Sequence, residues 1–197
     1  MTPQAESVIQ LFRATGAYLE GHFRLTSGLH SPNYLQCALV LRHADAAEKM
    51  GRALAEALRQ TVQEPISLVV SPALGGVIIG HEVARALGVP FLFTERDPAT
   101  RAMQLRRGFT IQPGETAVVV EDVITTGGST VETIQAVTAL GARVLAAGSI
   151  MDRSGGKAEV GVPRVALATL EVEAFAPESC PLCRQGLPVV KPGSRPA

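Results

Sequence analysis

Residues 118–130 read VVVEDVITTGGST. An apolar run ends in two adjacent carboxylates, Glu121 and Asp122, and five residues further on the chain passes through Gly127 and Gly128 into Ser129 and Thr130. TAVVVE (116–121) has the unbroken apolar character of a buried strand. STVETIQAVTALG (129–141) has helical periodicity, with Val131, Ile134, Val137 and Leu140 on one face. A segment between such a strand and helix sits at the carboxyl end of the strand, where open α/β sheets bind ligands. The helix N-terminus supplies free N–H groups and a partial positive charge. The glycines permit close backbone approach, and Thr125, Thr126, Ser129 and Thr130 add hydroxyls. Ser129 followed by Glu132 also matches a capping box, which would close the helix end with no ligand at all. The local pattern divides evenly between these readings, and the carboxylates tip the balance. A self-capped helix has no use for two acids on the strand before it, whereas a ribose phosphate does: anion at the helix, diol at the acids. The pattern is neither a Walker loop, since Gly-x4-Gly-Lys-Ser/Thr is absent, nor a dinucleotide fingerprint, since the glycines are adjacent and follow the acids.

Working outward, the same alternation repeats. HADAAEKMGRALAEALRQ (43–60) is an amphipathic helix with Ala46, Met50, Leu54 and Leu58 on one face. ISLVVS (66–71), VPFLFT (89–94), ARVLAAGSIM (142–151) and VALATLEV (165–172) read as further strands, and GVIIGHEVARALG as a helix stopped by Gly88. Five apolar strands alternating with helices imply a mostly parallel five-stranded sheet covered on both faces. The first 40 residues differ: after the short amphipathic helix pattern of MTPQAESVIQLFRATG, GHFRLTSGLHSPNYLQCAL suggests a hairpin-like hood outside the sheet. The tail is Pro- and Gly-rich and reads as irregular. The organisation is a single domain over 1–197, with a hood (1–40), an α/β core (43–175) and a tail (176–197).

Composition sets the boundaries. Hydrophobic residues make up 46% and charged residues 18% of 197, ordinary for a globular chain. The formal net charge is zero, so no whole-molecule field favours nucleic acid or anionic membrane. No apolar stretch reaches the roughly 18 residues of a membrane span, and the N-terminus lacks the basic start and apolar core of a signal peptide. The cytoplasm is the expected location. Three cysteines, Cys37, Cys180 and Cys183, do not make a disulfide framework. Cys180 and Cys183 form a Cys-x2-Cys pair, half of a zinc site. Two cysteines cannot complete a tetrahedron, so the pair reads as a knuckle-like turn or a redox-sensitive pair. His22 and His30 read as structural or surface residues of the hood.

VVVEDVITTGGST resembles the phosphoribosyl pyrophosphate (PRPP) motif of type I phosphoribosyltransferases. FRLTSGLHSPNYLQ (23–36), LRRGF (105–109), MDRSGG (151–156) and the tail CPLCRQGLPVVKPGSR are similar to orotate phosphoribosyltransferases of a bacterial and archaeal branch. The resemblance spans nearly the whole chain. It implies the type I phosphoribosyltransferase fold and transfer of the 5-phosphoribosyl group from PRPP to orotate, with Mg2+ chelated by PRPP and no direct protein ligand. Glu121 and Asp122 would hold the ribose hydroxyls. Asp122, Val123, Ile124, Thr125, Thr126, Gly127, Gly128 and Ser129 would belong to the PRPP cradle. Thr125, Arg153 and Tyr34 would contact orotate. SPALGG (71–76) matches the pyrophosphate loop, with Leu74 and Gly75 where many relatives carry Tyr-Lys, so the backbone would do the binding. ERDPATRAMQ (95–104) matches a mobile catalytic loop that closes over the neighbouring subunit's site in a homodimer. Arg96 would contact PRPP and Arg101 would act as the catalytic cation, helped by Arg106 and Arg107. Relatives place Lys in this loop and at the hood position of Thr26; neither is present here. QLRRGFTI (104–111) suggests a β-ribbon arm reaching toward the partner. Two alternatives remain at this stage: a purine-type phosphoribosyltransferase and a non-catalytic PRPP-binding regulator. The hood and Arg153 speak against the first, and the neutral chain without a DNA-binding segment speaks against the second.

Overall fold

The computed structural model describes residues 2–25 and 27–192; Thr26 lies outside them. Helix α1 (Pro3–Ala14) opens the chain, capped by Thr2, whose hydroxyl accepts from Ala5 N at 3.2 Å. The hairpin β1 (Tyr18–Arg24) and β2 (His30–Leu35) forms a separate antiparallel sheet, the hood. Then follow α2 (Cys37–Leu41), α3 (Ala44–Thr61), β3 (Leu68–Pro72), α4 (Gly76–Leu87), β4 (Phe91–Arg96), β5 (Met103–Leu105), β6 (Thr116–Ile124), α5 (Gly128–Thr138), β7 (Arg143–Asp152) and β8 (Arg164–Thr169). A 3₁₀ turn (Pro177–Ser179) and the short helix α6 (Pro181–Arg184) end the described chain. Among the described residues no helix is long and apolar enough to cross a membrane.

The main sheet has the order β5-β4-β3-β6-β7-β8 and is parallel except for β5, which pairs antiparallel with β4. Strand alternation assigns its two faces. Leu68, Val70 and Ala117 pack with Val137 of α5 on one side, and Val69, Val118 and Val120 with α3 and α4 on the other. Each fully buried Val contributes roughly 1.5–3 kcal/mol. The stripe expected of α3, Ala46, Met50, Leu54 and Leu58, is buried as the periodicity requires, and Gly88 ends α4 in the left-handed region at φ 74°.

Four expectations change. The sheet has six strands, because Met103–Leu105 adds an edge strand too short to register as periodicity. The segment read as a projecting ribbon, 104–111, instead turns at once: Arg107 and Gly108 have φ 61° and 75°, and the Phe109 ring packs 5.2 Å from that of Phe93, folding the segment back onto its own sheet. Helix α5 stops at Thr138, leaving Leu140 beyond its end and 48% exposed, and its buried residues are Thr130, Thr133 and Val137. The threonines tolerate burial because their hydroxyls are paired, Thr133 with Thr94 at 3.0 Å and Thr130 with Glu121. Finally, the tail is knitted to the hood. Val190 and Phe175 make backbone bridges to Phe23 and His30, with Val190 N donating to His22 O at 2.8 Å and Phe175 N to His30 O at 2.8 Å.

Candidate active site

β3 has β4 on one side and β6 on the other, and the helices that follow, α4 and α5, cover opposite faces. The loops leaving β3 and β6 therefore diverge and open a crevice at the carboxyl edge, the topological switch point of the sheet. A cleft of about 510 Å³ lies there, floored by Glu121, Asp122 and residues 125–129, with Arg153 beyond the end of β7 on one side and Leu25, Ser27, Tyr34 and Gln36 of the hood above. An adjoining recess of about 450 Å³ is lined by Leu74, Gly75 and Arg101 and shares Arg96, Glu121 and Ser129 with the cleft.

Gly127 turns the chain from strand to helix at φ 81°, and a Cβ there would meet Val160 Cγ1 at 2.8 Å, so both conformation and space demand glycine. It is the N-cap of α5 and makes no side-chain cap. The alternative capping box of Ser129 and Glu132 does not form, because the helix starts two residues earlier, with Gly127 at the N-cap and Ser129 already in the first turn; Glu132 pairs instead with Arg96 from β4. The first-turn N–H groups are thus open to a ligand.

The two acids lie inside β6, since the strand runs three residues beyond its expected end at 121. They are partly buried rather than solvent-facing. Burial, followed by the nearby Asp122 charge, pushes the Glu121 carboxyl up to about 7 against the opposing effects of the Thr130 hydroxyl, donating at 2.5 Å, and Arg96. Burial also raises Asp122, whose Oδ1 accepts from Val123 N at 2.9 Å. Across the crevice, a Cβ at Gly75 would stand 2.8 Å from Asp122 Oδ1, so the β3 loop approaches this carboxylate as closely as backbone can. The Ala73–Leu74 peptide in that loop is cis, and the Leu74 side chain is 83% exposed.

On the hood side, Arg153 Nε is buried and has no hydrogen-bond partner among the described residues. Burial lowers the guanidinium pKa and raises that of the Tyr34 phenol, with each group's charge opposing the other's shift. The pair forms a half-buried wall of the cleft, with the guanidinium Nε facing no partner among the described residues.

The 97–102 loop is built around Asp97, whose Oδ1 accepts from Ala99 N at 3.0 Å, Thr100 N at 2.8 Å and Thr100 Oγ1 at 3.1 Å. Hydrogen bonds from Thr100 and Ala99 hold its carboxyl below the usual range. Arg101 sits at φ 63°, exposed, with no ion pair among the described residues, while Arg96 reaches both Arg101 O, at 3.0 Å, and Glu132. Arg107 is committed elsewhere: it makes a two-pronged pair with Glu95, both contacts at 2.8 Å.

Residues 40–178 match the family model for the phosphoribosyl transferase domain. The chain belongs to the phosphoribosyltransferase family. It is 54% identical over 190 residues to a protein of Pelotomaculum thermopropionicum named orotate phosphoribosyltransferase, covering 96% of this chain and 97% of the relative. A protein of the same name from Heliobacterium modesticaldum is 51% identical, with 96% and 98% coverage. Among solved structures, orotate phosphoribosyltransferase from Aeropyrum pernix superposes with a TM-score of 0.67 at 26% identity, covering 83% of this chain and 94% of that one. Adenine phosphoribosyltransferase from Thermoanaerobacter pseudethanolicus reaches a TM-score of 0.60 at 20% identity, covering 70% and 88%. The phosphoribosyltransferase fold thus spans relatives named for different bases.

Within this family member, most of the residues singled out from sequence converge on the crevice: Tyr34, Leu74, Gly75, Arg96, Arg101, Glu121, Asp122, Val123, Thr125, Thr126, Gly127, Gly128, Ser129 and Arg153. Ile124 does not. Its side chain is 1% exposed in the core, and its carbonyl accepts from Arg153 N at 2.8 Å. The sequence reading missed Glu132 as the anchor of Arg96 and Gln36 and Ser27 as lining residues, since strand-to-helix and hood-to-cleft contacts leave no local pattern.

Proposed function

We propose that this chain transfers the 5-phosphoribosyl group from PRPP to orotate, releasing pyrophosphate and giving orotidine 5'-monophosphate for pyrimidine nucleotide synthesis. The observation that carries the choice of base is Arg153. A half-buried guanidinium whose buried Nε has no partner among the described residues, facing an aromatic wall, suits a flat ring bearing a carboxylate, which it can pair through two parallel hydrogen bonds. The relatives at about half identity carry the corresponding name.

The chemistry follows from where charge develops. The 5'-phosphate would rest on the 125–129 loop and the open end of α5, the ribose diol on Glu121 and Asp122. As the bond from C1 to pyrophosphate breaks, the ribose becomes cationic, and fixed carboxylates stabilise that state more than the neutral sugar. Leaving-group charge would meet the Leu74–Gly75 backbone and Arg101. The oxygen-only donor set of Glu121 and Asp122, facing the glycine-lined β3 loop, suits Mg2+, a hard cation that keeps most of its waters. Bound with PRPP, Mg2+ supplies neutralisation of the diphosphate. We place the activity in the cytoplasm, in a homodimer whose 97–102 loop serves the neighbouring crevice. Arg101, exposed and without an ion pair among the described residues, and the exposed apolar side chains of Leu74 and Ile78 support that arrangement.

The test is to supply PRPP and Mg2+ with orotate, adenine, hypoxanthine or uracil in turn and follow pyrophosphate release. Turnover with orotate alone is expected; turnover with a purine and not orotate, or with no base, overturns the reading. The shared site has its own test. An Arg101→Ala chain and an Asp122→Asn chain, each nearly inactive, are mixed and allowed to exchange subunits. Activity should rise toward about a quarter of the parent's, because half the dimers are mixed and each holds one intact site of two. No recovery after demonstrated exchange means that the loop serves its own subunit.

A further inference from the structure

The knot between hood and tail gathers four side chains that the reaction does not use. His22 and His30 come from the hairpin, Cys180 and Cys183 from the turn at α6, and their candidate ligand atoms all lie within 4.8 Å of one another. His22 Nε2 is 3.0 Å from His30 Nδ1, 3.6 Å from Cys180 Sγ and 3.7 Å from Cys183 Sγ; Cys183 Sγ is 3.2 Å from His30 Nδ1. A tetrahedral zinc with Zn–S of about 2.3 Å and Zn–N of about 2.05 Å has edges of about 3.3–3.8 Å between its ligand atoms. Four of the six edges, at 3.0–3.7 Å, are thus close to those of such a tetrahedron, and all six lie within 4.8 Å, so small side-chain adjustments would close the four atoms around an ion.

A second observation is independent of these distances. His22 Nδ1 lies 2.8 Å from Leu187 O. A carbonyl only accepts, so Nδ1 carries a proton and Nε2 is the ring nitrogen turned to the cluster, the carbonyl-oriented arrangement of metal-bound histidines. The backbone is shaped for this. The β1–β2 register moves from Glu20↔Asn33 to Phe23↔Ser31, so Gly21 and His22 stand against Pro32 alone. This bulge re-aims His22, which is buried although its strand neighbour Phe23 is buried too. His22, His30 and Cys180 are 4%, 8% and 0% exposed.

We propose that His22, His30, Cys180 and Cys183 bind one zinc ion that clamps the hood to the C-terminal segment. All four positions are protein ligands, so the ion is structural, with no open position for catalysis. Two thiolates balance its charge. The clamp fixes the hairpin that carries Tyr34 over the crevice. The Cys-x2-Cys pair is therefore a complete site in three dimensions, its other half supplied from about 150 residues away.

Full-length protein produced without a polyhistidine tag should carry about one zinc per chain by elemental analysis. Cobalt substitution should give the intense visible absorption of a tetrahedral thiolate site. Cys183→Ser and His30→Ala should each weaken zinc binding about 100-fold or more in a chelator competition. If either variant fails to fold, the metal content and cobalt spectrum of the unaltered protein decide. Zinc below about 0.1 per chain with no tetrahedral cobalt spectrum, another metal at full occupancy, or a Cys180–Cys183 disulfide by intact mass would each overturn the proposal.

Discussion

The carboxyl ends of β6 and β7 lie side by side, Ile124 opposite Asp152, and each carries acids in a partly or fully buried setting. At β7, Asp152 accepts from Ser154 N at 2.7 Å, Ser154 Oγ at 2.6 Å, Gly156 N at 2.9 Å and Arg164 Nη1 at 2.7 Å. Burial alone would raise its carboxyl, but the bonds from Ser154 and Arg164 prevail and it is held below the usual range. At β6, Glu121 and Asp122 are both raised by burial, with few bonds to oppose it. Desolvation raises all three carboxyls; at Asp152 the hydrogen bonds overcome it, and at Glu121 and Asp122 they do not. A charge the protein completes itself becomes part of the scaffold; one it leaves short of partners is held ready for a ligand.

That contrast breaks most visibly at Asp122. Asp122→Asn should lower turnover by about 10²-fold or more, since the carboxylate acts mainly as the ribose turns cationic. The folding stability should hold, because a neutral amide relieves desolvation; parent-like turnover would remove Asp122 from the mechanism. Asp152→Asn should do the reverse. It severs the buried pair with Arg164 and should cost about 2–4 kcal/mol in urea unfolding, with the KM for PRPP little changed. A stable variant with a selective PRPP defect would erase the distinction between the two strand ends. Arg153→Ala sharpens the comparison across the cleft: the KM for orotate should rise about 10–100-fold and that for PRPP stay within about twofold. Equal loss of both would make Arg153 structural.

The smallest effect is a stability slope. The folded Glu121 carboxyl, at about 7, lies above its unfolded value near 4.5, so the folded protein holds an extra proton between these limits. Stability therefore falls as pH rises from about 4.5 to 7 and levels off above. Glu121→Gln should remove that slope, being more stable than the parent at pH 8 by on the order of 1–2 kcal/mol and matching it near pH 4. No difference at pH 8 would mean that Glu121 is ionised without cost.

The crevice was legible because its parts are consecutive. Apolar strand, acids, glycines and hydroxyls all lie within 118–130, and the strand-to-helix order places them at the sheet edge. What failed was detail decided across space. Ser129 and Glu132 have the spacing of a capping box, yet the helix starts at Gly128 with Gly127 as its cap, and Arg96 from another strand takes Glu132. The apolar stripe expected over 129–141 runs to Leu140, but α5 ends at Thr138, and Thr130 and Thr133 share its inner face with Val137 because Glu121 and Thr94 satisfy their hydroxyls. Met103–Leu105 is a strand only because β4 is there to pair with it. Cys180 and Cys183 looked like half a site because His22 and His30 lie at the other end of the chain, and a bulge, invisible in composition, aims one of them.

The hood has a further consequence for the order in which the molecule is made. Its hairpin leaves the ribosome long before the backbone partners that fasten it, Phe175 and Val190. The strand, turn and helix of residues 116–138 can assemble while the tail is still inside the exit tunnel. During synthesis the floor of the crevice therefore precedes its roof, and a chain halted before residue 175 would carry the phosphate cradle under an unfastened hood.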